Sequence, residues 1–155
     1  MQQRIDVTKV SPAAYQAVAA LQSYVNQSGL DAKLRELIKI RASQINGCAF
    51  CLAMHTRDAR MLGETEERMH LLDAWREAPV YSARERAALG WIEAITLVTQ
   101  GHVSDEVFEA VRKQFSEKEI VDLTAAAAAI NVWNRLQSHS AFRLKSKARK
   151  RRLRA

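Results

Sequence analysis

Proline and cysteine are scarce in this chain of 155 residues: there are two of each. No Pro/Gly/Ser-rich stretch divides the body and no repeat of fixed period is present, so one domain is expected. No run approaches the ~20 apolar residues that a membrane span needs. The opening Met1-Gln2-Gln3-Arg4-Ile5-Asp6 is too polar for a signal peptide. A soluble, cytoplasmic protein without a membrane partner is therefore expected. Two cysteines three positions apart are too few for a structural disulfide framework, and the cytosol keeps ordinary thiols reduced. Such a pair points to catalysis, redox chemistry or metal binding. The alternation and hairpin turns of a sheet are also missing, apart from an ambiguous Asn46-Gly47.

What the chain does have is 48% hydrophobic residues, enough for a single packed core, and helix signals from end to end. Ser11-Pro12 opens a segment closed by Gly29, and a second helix runs from about Asp31 to Gln44 with Leu34, Leu37, Ile38, Arg41 and Ile45 along one stripe. A third is expected from Cys48 to Leu62, and a fourth from Thr65 to Pro79. Ser82–Glu85 and Ser116–Glu119 read as capping boxes opening two long helices, with a short one from Ser104 between them. The last helix is apolar around most of its circumference from Ile120 to Leu136 and is expected to be central. The fold class is thus all-α, a bundle of about six to seven helices spanning residues 1–142.

The net charge of +7 is unevenly spread. Of 24 Lys and Arg residues, eight follow Phe142 with no acidic residue among them, which leaves 16 against 17 acidic residues in the body. Residues 143–155 therefore form a basic C-terminal tail. It reads as a solvated extension or as a non-specific hold on nucleic acid; no interleaved aromatics support sequence-specific recognition.

The sharpest motif is Asn46-Gly-Cys48-Ala-Phe-Cys51-Leu-Ala-Met-His55. Residues i and i+3 at a helix start lie within disulfide reach, and i to i+4 puts His55 on the face of Cys51. Unpaired N–H groups at a helix start stabilise a thiolate, and an imidazole can take its proton. Inert burial does not ask for this spacing. Zinc would find three ligands in Cys48, Cys51 and His55 but no fourth, because His70, His102 and His139 form no second pair. Leu52 after Cys51 excludes covalent haem attachment. A thioredoxin fold would need a strand before the pair. Read alone, Glu36 lies opposite the Leu34/Leu37/Ile38 stripe between Lys33 and Lys39, a solvated position, although Ile40 on the same side leaves room for cover by another helix or subunit.

The run from Asn46 to Arg60 resembles the signature of the alkylhydroperoxidase D family, within the carboxymuconolactone decarboxylase superfamily. Glu36 stands twelve residues before Cys48, where that family has its catalytic glutamate, and Glu85–Trp91 and Ile130–Arg135 resemble its later helices. The resemblance covers most of residues 10–142. It implies a thiol-dependent peroxidase reducing alkyl hydroperoxides or hydrogen peroxide without metal or other cofactor. Cys51 would be the peroxidatic thiol and Cys48 the resolving thiol and proton donor, with His55 and Glu36 in the relay. It further implies a trimer or hexamer and a dithiol reductant of lipoyl or thioredoxin type. Phe50 stands where well-studied members carry a second histidine, so that histidine's relay role is absent here, and the basic tail has no counterpart in the family pattern.

The rival reading is a non-enzymatic redox sensor whose Cys48–Cys51 state alters an interaction made by the tail. Trp91 and Trp133 are read as core residues, and Arg57, Asp58 and Arg60 as a surface ion network.

Overall fold

A computed structural model describes residues 4–140 of the chain. The basic tail lies outside the described residues, as does the side chain of His139. Helices begin where a short polar side chain can take up an orphan backbone N–H. Asp6 accepts from Thr8 N at 3.1 Å ahead of α1 (Val7–Val10), a single turn that sequence patterning does not signal. Pro12 opens α2 (Pro12–Gln27). Asp31 accepts from Leu34 N at 2.9 Å to start α3 (Ala32–Ile45), and Thr65 caps α5 (Glu66–His70) after α4 (Ala49–Met61). The Ser82/Glu85 capping box forms at the head of α6 (Ala83–Thr96). Ser104 caps α7 (Asp105–Arg112), and Ser116 and Glu119 bond reciprocally before α8 (Glu117–Ser140). The described residues form eight α-helices and no strand.

The stretch from Thr65 to Pro79 is not one helix. After α5 the chain tightens into a 3-10 turn at Leu71–Ala74. Arg86 explains why the helix does not resume: its guanidinium collects the carbonyls of Trp75 (2.8 Å), Arg76 (3.0 Å) and Ala78, which a continuing helix would have used itself. Likewise α6 stops at Thr96, short of Gly101, and a 3-10 turn at Val98–Gln100 fills the gap.

The core is built on Leu37, Ile38, Ile40, Leu72, Leu89, Ile92, Leu123 and Ile130, all nearly inaccessible. Each such side chain contributes about 1.5–3 kcal/mol of burial, an upper estimate. Two helices share the centre. α8 packs on α2, α3, α4, α6 and α7, while α3 packs on α4, α6 and α8 and is buried on nearly every side. That burial extends to Glu36, Lys39 and Ile40, so the chain itself covers the second side of α3. A partner subunit is not needed for that purpose. α2 is tied to α8 by the Tyr24 hydroxyl, which donates to the buried Asp122 carboxylate at 2.7 Å.

Candidate active site

The site begins with the way α3 ends. Asn46 is its C-cap and Gly47 follows at φ +66°, in the left-handed region that an L side chain enters at a cost. Gly47 N donates to Gln44 O at 3.1 Å and Cys48 N to Ser43 O at 3.0 Å, the paired bonds of a Schellman motif. Cys48 is at once the last residue of that motif and the N-cap of α4. The Asn-Gly pair therefore sets the cysteine pair at a helix start, and no side chain competes for the N–H groups there.

Cys48 and Cys51 are free thiols, both buried, with Sγ atoms 2.8 Å apart. Hydrogen bonding between them dominates their ionisation. The Cys48 thiol is pushed down to about 6 by its bond with Cys51, against the effect of burial, while the Cys51 thiol is pushed up by the same bond and by burial. The pair thus sheds one proton near neutrality and holds the other between its sulfurs.

His55, one turn beyond Cys51, meets Glu36 from α3. His55 Nδ1 donates to Glu36 Oε2 at 2.7 Å, and Lys39 Nζ donates to Glu36 Oε1 at 2.8 Å. All three residues are buried, Glu36 at 8% exposure. Burial pushes the Glu36 carboxyl up, but the hydrogen bond from His55 and the Lys39 charge outweigh it and hold the carboxyl below its usual range. A carboxylate fixed on Nδ1 leaves Nε2 as the nitrogen free to exchange protons. Glu36, His55 and Asp58 each present a ligand atom within 4.8 Å of the others. Those three could approach a cation, but the Lys39 ammonium already neutralises Glu36 and opposes that use.

A cavity of about 520 Å³ opens on this cluster. Glu36, Lys39, Cys51 and His55 line it, whereas Cys48 does not. Its apolar wall includes Phe50, Met54, Tyr15 and Trp133, the last two packed edge to face with centroids 5.3 Å apart. All four residues expected at the site are thus brought together. Arg57 pairs with Asp58 at 2.8 Å and Arg60 with Glu66 on the surface, as expected, although Asp58 also reaches the cavity. Trp91 is buried in the core as expected, and Trp133 packs against the core while also lining the cavity. His70 and His102 are exposed and remote from the cysteines in the chain. Sequence reasoning missed Lys39, whose signal was its i, i+3 spacing to Glu36, and the aromatic wall, which α2 and α8 assemble from distant positions.

Helical packing around a buried dithiol, with a carboxylate–imidazole pair behind it, defines a class of all-helical protein built around a cysteine pair. The chain belongs to the carboxymuconolactone decarboxylase family, whose model matches residues 12–94, from α2 through most of α6. It is 44% identical over 147 residues to the uncharacterised YdfG protein of Bacillus subtilis, covering 95% of this chain and 100% of that one. A solved structure from Agrobacterium tumefaciens, of unknown function and suggested to be an antioxidant defence protein AhpD, is 46% identical with a TM-score of 0.88. That match covers 92% of this chain and 97% of the other. The debrominase Bmp8 shares the fold at 19% identity and a TM-score of 0.74, covering 87% and 73% of the two chains.

Proposed function

We propose that this protein is a thiol-dependent peroxidase that reduces organic hydroperoxides or hydrogen peroxide through Cys51 and Cys48. The observation that carries the reading is a reduced sulfur pair at 2.8 Å of which one member, Cys51, faces a cavity shared with the Glu36–His55 pair. When the shared proton rests on Cys48, the charge is on Cys51. That thiolate attacks the terminal peroxide oxygen, the O–O bond breaks, and the sulfur becomes a sulfenic acid. The leaving alkoxide or hydroxide takes the Cys48 proton, with His55 and Glu36 as relay. The Cys48 thiolate then attacks the sulfenic sulfur, closing a disulfide and expelling hydroxide, which takes a proton from solvent through His55 and leaves as water. An external dithiol returns the pair to its reduced form.

The Phe50, Met54, Tyr15 and Trp133 wall suits a hydroperoxide with an apolar body. Consumption of tert-butyl hydroperoxide with dihydrolipoamide as donor tests the reading. Many equivalents consumed per chain are expected; a single equivalent followed by arrest would contradict turnover and favour the sensor.

A further inference from the structure

α8 is Ala-rich and mostly apolar, yet it buries an asparagine, Asn134, at 1% exposure. A buried primary amide is costly unless its donors and acceptor are used, so its partners identify what it is for. Asn134 Oδ1 accepts from Asn46 Nδ2 at 2.9 Å, and Asn134 Nδ2 donates to Ser43 Oγ at 3.0 Å. Both partners belong to the turn that builds the dithiol. Asn46 is the C-cap of α3, and Ser43 supplies the carbonyl that receives Cys48 N. Because the Asn46 Nδ2 group can only donate, the bond fixes the oxygen end of the Asn134 amide on Asn46 and turns its N–H groups the other way. Ser43 uses one of the two hydrogens on Nδ2. The Asn134 side chain lowers the proton affinity of both the Cys48 and the Cys51 sulfur, and so favours the charged form of each.

We propose that Asn134 is a catalytic residue of the dithiol: its second Nδ2–H donates to whichever sulfur carries the negative charge, and Asn46 and Ser43 hold it in that orientation. The donor suits a thiolate that shifts between two sulfurs 2.8 Å apart, because one N–H can follow the charge with little movement. The charged and titratable groups that line the cavity with Cys51 are Glu36 and Lys39 on α3 and His55 and Asp58 on α4. Asn134 is neutral, so it lowers the energy of the thiolate without adding a charge to compensate elsewhere.

The proposal rests on the dithiol being the reactive site, but its test needs neither peroxide nor reductant. The full-length protein and Asn134→Leu, which keeps the size of the side chain and removes the donor without adding a charge, are alkylated with iodoacetamide from pH 5 to 10. In the parent chain the rate should fall as pH drops through about 6. In the variant the midpoint should rise by about one unit, a loss of about fivefold in rate at pH 6 that vanishes at alkaline pH. A folded variant with the parent's midpoint would overturn the proposal. Should Asn134→Leu not fold, NMR of the parent decides: the Asn134 side-chain amide proton should move with the thiol titration, and resonances fixed across that range would overturn it. A variant that shifts the midpoint in a protein without peroxide turnover would refute the peroxidase and leave the role of Asn134 standing.

Discussion

Glu36 is the residue on which the electrostatics of the site turn, because one buried carboxylate holds both His55 and Lys39. Replacing it by glutamine keeps the shape but removes the charge that fixes His55 Nδ1 as a donor. Turnover in Glu36→Gln should fall about 100-fold, the usual worth of general acid–base help. Its melting temperature should fall too, since the buried Lys39 ammonium loses its counter-charge. Glu36→Gln with Lys39→Met should regain much of the melting temperature while turnover stays low. A Glu36→Gln protein within twofold of the parent rate would make Glu36 a structural residue only. On local pattern alone Glu36 looks solvated, because a one-dimensional stripe shows a single apolar face. α3 is covered on both sides by α4, α6 and α8, and only the resemblance gave Glu36 a role beforehand.

Among the elements, the turn from α3 into α4 does most to place the chemistry. The Asn-Gly break and the cysteine spacing are visible in the sequence, and so is the helix they open. The Schellman bonds that fix Cys48 follow from those two residues. What the sequence hides is α8's part, since Asn131 and Asn134 meet Asn46 from more than 80 positions away. Polar residues inside an otherwise apolar helix were the available sign. Gly47 has open space where a Cβ would stand, so Gly47→Ala should cost only the left-handed backbone term, about 1–2 kcal/mol. Urea denaturation checks this; a midpoint equal to the parent's would contradict the motif's contribution. The capping boxes at Ser82 and Ser116 were equally legible, whereas the break after His70 depends on Arg86 reaching back to carbonyls that no local pattern reveals.

At the scale of the whole molecule, the all-helical class and family were legible because periodicity and one motif agree throughout the body. No helix among the described residues is long and apolar enough to cross a membrane. The cavity was not legible, because α2, α3, α4 and α8 each give it only a few side chains. The described residues that line the cavity all fall between Thr8 and Gln137. Removing residues 143–155 should therefore leave turnover within about twofold, since a charged tail adds no core; a tenfold loss in a folded truncation would contradict that separation. The central claim is that Cys51 attacks and Cys48 resolves. Mass spectrometry after one equivalent of peroxide tests it directly. Cys51→Ser should gain no oxygen, and Cys48→Ser should accumulate oxygen at Cys51 and then over-oxidise. Oxygen found at Cys48 in Cys51→Ser, with Cys51 unmodified in Cys48→Ser, would reverse the order and contradict the account.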